Sequence, residues 1–295
     1  TLFRSENPDL EISLEEASKE VEGIELGDTI KDKELPLKDF GRVAAQTAKQ
    51  IVVQRVKEAE KQSISGEFQD KDGELMVGTL SREDQKNYFV DLGRASGILP
   101  KDQIIPGEKL VMGSSVKVYV SKLELGPKGP FIMLSRSHYG FVKRLLEIEV
   151  PELNDGTVML YSVARDAGSR TKIAVYTEYN NVDPIGAVIG EKGRRIAAVL
   201  KELNGEKIDV ILYDKDPVKF ITNALSPAKD IKVTIKDENK KEALAVVGDN
   251  NLSLAIGKRG QNVKLASRLT HYKIEVKSQS AVNEENAEEV EASEK

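Results

Sequence analysis

The chain has 295 residues, 39% apolar and 32% charged, with 44 Lys plus Arg against 49 Asp plus Glu and a net charge of -5. That length predicts two or three modest domains rather than one large core, and no run approaches the roughly 18 consecutive apolar residues of a membrane span. The absence of cysteine excludes a disulfide scaffold, thiolate catalysis, iron–sulfur clusters and Cys-ligated zinc, so a reducing cytoplasm is the expected compartment.

The amino end, TLFRSENPDLEISLEE, lacks the basic and apolar regions of a secretory signal, and a start at Thr1 rather than Met reads as a processed or truncated product. Charge is unevenly spread. Residues 1–62 carry 14 acids and 10 bases, residues 279–295 carry six acids and one base, and residues 140–278 carry 19 acids and 23 bases. The basic part is the C-terminal half, a weak pointer to an anionic partner.

Residues 1–35 are polar and acidic, with ELGDTI as a strand-and-turn fragment. From Pro36 to about Gln62, Ala44, Ala48, Ile51, Val52, Val56 and Ala59 recur at helical spacing, which predicts one long amphipathic docking or connecting helix. After Ile64 short β runs follow: Glu74 to Leu80, Tyr88 to Leu92, Ala95 to Leu99, Val116 to Leu123 and Phe131 to Ser135. With Gly78, Gly93, Gly97, Gly107 and Gly129 taken as bends, five strands predict a small barrel. Tyr88 and Phe89 alternate across a strand, so one is core and the other a candidate stacking platform.

The strongest internal signal is a repeat. DPIGAVIGEKGRRIAAV from Asp183 aligns with NNLSLAIGKRGQNVKLA from Asn250, matching Ile189, Gly190, Gly193 and Ile196 to Ile256, Gly257, Gly260 and Val263. Each copy has a preceding helix (FVKRLLEI, PVKFITNAL), two strands (VMLYSVAR and KIAVY, IKVTI and EALAVV), an N-cap at Asp183 or Asn250, a Gly-x-x-Gly loop between two helices, and a closing strand (KIDVIL, KIEVKS). Glycines at this spacing let backbone amides approach a phosphate, and the helix that starts at the loop adds its positive dipole end. The candidate nucleic-acid-binding residues are Gly190, Glu191, Lys192, Gly193, Arg194 and Arg195 in the first copy, and Gly257, Lys258, Arg259, Gly260, Gln261, Asn262 and Lys264 in the second, the basic side chains suiting phosphate and the Gln261 and Asn262 amides base edges. Adjacent helical residues diverge by about 100°, so one of Arg194 and Arg195, not both, is expected at a phosphate. Val188 and Ile189, and Ala255 and Ile256, read as core. Only Asp214 and Lys215 separate the closing strand, ending at Tyr213, from the Asp216-Pro217 cap of the next helix, so the two copies are expected to be rigidly joined.

The phrases MVGTL, NYFVDLG, SGILPK, PGEKL, VKVYVSKL and FIMLSR resemble the RNA-binding OB-fold domain repeated in ribosomal protein S-one, with Pro100 departing from its pattern. The repeated unit resembles a pair of bacterial-type (type II) KH domains, whose loop holds about four nucleotides of single strand. That resemblance implies that one of Val188 and Ile189, and one of Ala255 and Ile256, lines a groove beside the loop on which bases lie. SRSHYGFVKRLLEIEVPELNDGTV, KELNGEKIDV, NALSPAK and LAIGKRGQNVKLASRLT are similar to the NusA family of bacterial transcription termination and antitermination factors. The expected fold is thus α+β and multidomain: a partial N-terminal domain with the long helix (1–65), an OB barrel (66–138), KH domains at 139–214 and 215–278, and an acidic disordered tail (279–295). The amino end is shorter than the family's polymerase-binding domain. The resemblance implies a cytoplasmic, monomeric RNA-binding elongation factor. Its expected partners are single-stranded nascent RNA, RNA polymerase and other termination or antitermination factors. A structural or ribosome-associated single-stranded RNA-binding protein is the alternative.

An enzyme is not expected. No G-x-x-x-x-G-K-[ST] segment is present, and His138 and His271, the only imidazoles, fall in separate places, against both His-based catalysis and metal binding. No cofactor is implied.

Overall fold

The computed structural model describes Gly23, residues 41–126 and residues 129–284. The expectations for residues 1–22, 24–40 and 285–295, including the ELGDTI fragment, lie outside the described residues. The chain divides into two units, Thr1–Ala59 and Glu60–Lys295. In the first unit the described residues 41–59 enter helix α1 (Arg42–Phe68), and Ile51, Val52 and Val56 of its apolar stripe are exposed. The helix continues six residues past the expected end at Gln62. Ile64 and Phe68, four residues apart and so on one face, pack into the adjoining barrel core, which extends the helix through Gly66.

Five strands close the barrel in the order β1-β2-β3-β5-β4: β1 (Leu75–Glu83), β2 (Asn87–Asp91), β3 (Ser96–Pro100), β4 (Ser115–Gly126) and β5 (Gly129–Ser135). β4 also pairs with β1, β3 and β5 run parallel, and the other neighbours are antiparallel. Val116, Val118 and Val120 point inward at alternate positions and meet Leu80, Val90, Leu99, Ile132 and Leu134. Gly78 and Gly97 are strand residues rather than bends. A Cβ on Gly78 would lie 2.4 Å from Val90 Cγ1, and one on Gly97 2.4 Å from Leu134 Cδ1, so glycine serves close packing there. Tyr88 packs against the core, whereas the Phe89 ring carries the Arg82 guanidinium 4.0 Å from its centroid.

The first α/β repeat contains α2 (Tyr139–Glu149), α3 (Pro151–Asn154), β6 (Met159–Asp166), β7 (Arg170–Tyr176), α4 (Pro184–Ile189), α5 (Arg194–Glu202) and β8 (Lys207–Leu212). The second contains α6 (Pro217–Ala224), β9 (Ile231–Asp237), β10 (Glu242–Val247), α7 (Asp249–Ile256), α8 (Gln261–Thr270) and β11 (Lys273–Ser278). Each three-stranded sheet has its middle strand, β7 or β10, antiparallel to one neighbour and parallel to the other. Asp183 and Asp216 cap their helices as expected, accepting from the amides of Ile185 and Val218. Asn250 is not a cap: α7 runs from Asp249, two residues earlier than a cap at Asn250 implies, and its N-cap is Gly248. Residues 279–284, expected in the tail, are helical, and Ser280 Oγ donates to Asp249 Oδ1 at 2.5 Å.

The two repeats share a core. Ala164, Ala174 and Ile211 of the first sheet pack with Phe220, Ile221, Ala224, Leu265 and Leu269 of the second repeat, so β7 is covered on both faces. Lys172, fully buried at this seam, donates to the Ser226 carbonyl at 2.7 Å and to Asp209 Oδ2 at 3.1 Å. Burial lowers its pKa, and the Asp209 carboxylate opposes that shift. The barrel is clamped to the first repeat by Arg136, whose guanidinium reaches Glu108 on the barrel side and Glu202 Oε1 at 3.1 Å. Below it, buried Arg165 pairs with buried Glu206 at 2.9 Å and donates to the carbonyls of Arg136 and His138. His138 caps α2, its Nδ1 accepting from the Gly140 amide at 3.1 Å, and its ring stacks on Tyr119. Burial, then the Arg165 charge, holds this imidazole below the ordinary histidine range.

Candidate nucleic-acid interface

The repeated loops have the same backbone. Gly190 has φ, ψ of 74°, 171° and Gly257 74°, 170°; the second glycines, Gly193 and Gly260, have 75°, 15° and 73°, 16°. The first glycine ends a helix, its amide donating to Gly186 O at 2.8 Å or Ser253 O at 2.9 Å, and accepts from the second glycine's amide at 3.0 and 3.1 Å. Between them Lys192 (φ 51°) and Arg259 (φ 54°) are left-handed, a conformation that costs a residue with a Cβ about 1–2 kcal/mol. The next helices, α5 and α8, start at once, so each loop sits at a positive helix end.

Glu191, Lys192, Arg194, Lys258, Arg259 and Lys264 are exposed. Of the neighbouring apolar pairs, Val188 and Ala255 are fully buried and Ile189 and Ile256 half-buried. Three candidates are engaged elsewhere. Arg195 donates from Nη1 to Glu152 Oε2 at 2.8 Å and to the Ala187 carbonyl at 2.7 Å. Gln261 donates to Ser169 Oγ at 2.7 Å and to the Asp166 carboxylate, across the seam between repeats. Asn262 is buried, 2% exposed, and its amide donates to the carbonyls of Leu225, Leu254 and Ala255, so it cannot present that amide to a base edge. Sequence reasoning treats Asn262 as one position on an exposed helix face; packing against Leu225, 37 residues away, has no local signature. Glu152, Asp166 and Ser169 were missed for the same reason. Among the described residues no group of His, Asp or Glu is arranged to hold a metal ion, and no helix is long and apolar enough to cross a membrane.

An OB-type barrel followed by two fused repeats, each presenting a Gly-x-x-Gly loop at a helix start, defines a tandem KH-domain protein. Family profiles agree: residues 136–213 match the NusA-like first KH domain, residues 217–284 the NusA-like second KH domain, and residues 2–62 the NusA N-terminal domain. The transcription termination/antitermination protein NusA of Halalkalibacterium halodurans is 48% identical over 275 residues, 93% of this chain and 72% of that protein. The protein of the same name from Bacillus subtilis is 49% identical over 275 residues, 93% of this chain and 74% of that one. That from Thermus thermophilus is 45% identical over 272 residues, covering 91% and 69%. The chain belongs to the NusA family of transcription termination/antitermination proteins.

Proposed function

We propose that the chain holds single-stranded nascent RNA along both Gly-x-x-Gly loops while associated with RNA polymerase, and in that position modulates pausing, termination and antitermination. The observation that carries the reading is the pair of loops with matching backbone angles, each placing exposed cations, Lys192 and Arg194 or Lys258, Arg259 and Lys264, beside a helix start. Amides and cations there contact sugar-phosphate rather than base edges, so binding is electrostatic first and sequence-selective second. No step needs a cofactor, a metal or catalysis: the chain acts as a monomeric, cytoplasmic binding factor, alongside other termination or antitermination factors.

The test is a salt titration of a ten-nucleotide single-stranded RNA. With five exposed cations at roughly -0.7 per phosphate contact, log affinity against log salt is expected to fall with a slope of up to about -3.5. A salt-insensitive interaction overturns the reading. Copurification with core RNA polymerase tests the partner, and absence of association under conditions where a family relative binds would remove it.

A further inference from the structure

The residue two places after the second loop glycine is Arg195 in the first repeat and Asn262 in the second, side chains with little in common except that both donate hydrogen bonds. They do the same thing. Arg195 Nη1 donates to the Ala187 carbonyl at 2.7 Å, and Asn262 Nδ2 donates to the Leu254 carbonyl at 3.2 Å. Ala187 and Leu254 occupy one position, three residues before the first loop glycine. Carbonyls in a helix's last turn have lost their intrahelical donors, and here a side chain from the next helix replaces them. The stems of both side chains also lie over the first glycine: a Cβ on Gly190 would be 2.7 Å from Arg195 Cγ, and one on Gly257 2.7 Å from Asn262 Cβ. Each is anchored behind the loop as well, Arg195 by Glu152 at 2.8 Å and Asn262 by the Leu225 carbonyl at 3.0 Å.

We propose that Arg195 and Asn262 are positioning residues that lock their loops by tying the last turn of the incoming helix to the first turn of the outgoing one. The inference rests on the reading of both loops as the RNA site. It assigns Arg194, Lys192 and the cations of the second loop to phosphate, and Arg195 to the loop itself. A loop held in its binding geometry before the ligand arrives avoids an ordering cost, and one that visits that geometry a tenth of the time binds about tenfold more weakly.

The deciding variant is Arg195→Leu, which keeps apolar cover over Gly190 and removes the donor. Affinity for the ten-nucleotide RNA is measured against salt for the wild type, Arg195→Leu and Arg194→Leu. Arg195→Leu is expected to weaken binding about tenfold at every salt concentration with the slope unchanged, whereas Arg194→Leu makes the slope shallower by about 0.7. A slope reduced in Arg195→Leu makes Arg195 a phosphate contact, and unchanged affinity makes the lock irrelevant; either result overturns the proposal. Amide hydrogen exchange at residues 190–193, without RNA, gives an independent readout. Exchange faster in Arg195→Leu than in the wild type supports the lock, and equal exchange refutes it, even if the wild type proves to bind no RNA and the reading of the loops falls. Asn262→Asp should raise exchange at residues 257–260; because it can also disturb the second repeat's core, the Arg195 variant is the one that decides.

Discussion

Gln261 and Ser169 meet across the seam between the repeats, the Gln261 side-chain amide donating to Ser169 Oγ at 2.7 Å. Gln261 is the first residue after the second loop, and Ser169 lies in the turn joining β6 to β7, so this contact fixes where one loop stands relative to the other repeat. Two sites at fixed separation present the second at high effective concentration once the first is filled. Gln261→Ala is therefore expected to lower the affinity of a ten-nucleotide RNA severalfold while leaving that of a four-nucleotide RNA unchanged, as read by fluorescence anisotropy. Equal losses for both lengths would place Gln261 at the RNA rather than at the joint.

The glycines of each loop should separate into two kinds. A Cβ on Gly193 meets nothing within 4 Å and one on Gly260 only Lys264 Cε at 3.8 Å, so Gly193→Asp and Gly260→Asp add a carboxylate to open space at a left-handed position that Asp tolerates better than most residues. Near a phosphate that charge costs about 1–3 kcal/mol of binding at intermediate dielectric. Gly190→Asp and Gly257→Asp instead collide with the Arg195 and Asn262 side chains and are expected to lower the melting temperature. Circular dichroism melts and RNA affinity, measured on all four, check the division.

The Arg165–Glu206 pair is buried on both sides, and Glu206 also accepts from Thr171 Oγ1 and the Gly168 amide. Removing one member strands the other in a low-dielectric interior, which typically costs about 3–5 kcal/mol. Arg165→Met should lower the unfolding free energy measured by urea titration by an amount in that range. A shift under about 1 kcal/mol would mean that water reaches Glu206.

His138 makes stability depend on pH. Its folded pKa lies below the ordinary histidine value of 6.5, through burial first and Arg165 second, so the unfolded chain takes up the proton before the folded one. The stability it contributes is present above pH 6.5 and is lost as pH falls toward the folded pKa. His138→Asn keeps a cap for the Gly140 amide and removes the titration. Its urea-derived stability should therefore fall less steeply below pH 6.5 than the wild type's.

Local patterns were legible in the sequence because local physics sets them. Alternation in VKVYV placed β4, the Asp-Pro pairs placed the starts of α4 and α6, and the matching glycines exposed the repeat and with it both loops. What escaped depends on contacts distant in sequence. The unbroken apolar run around Ile173 looks like any buried strand, and nothing nearby says that its second face is covered by α6 and α8. Gly78 and Gly97 read as bends because a glycine demanded by a side chain across the barrel is indistinguishable, residue by residue, from one demanded by a turn. Arg195 and Asn262 read as surface positions because each donates to backbone carbonyls, which no residue type advertises, and the one side-chain acceptor, Glu152 for Arg195, is 43 residues away.

Left-handed Lys192 and Arg259 set two requirements of the molecule against each other. At those positions glycine would relieve a strain of about 1–2 kcal/mol, against about 0.5–1 kcal/mol of added chain entropy in the unfolded state. A loop optimised for thermal endurance alone would discard the charged side chains there. Repeated selection for heat resistance, with no demand for ligand, should therefore erode these two places early, leaving a sturdier protein with a blunter grip.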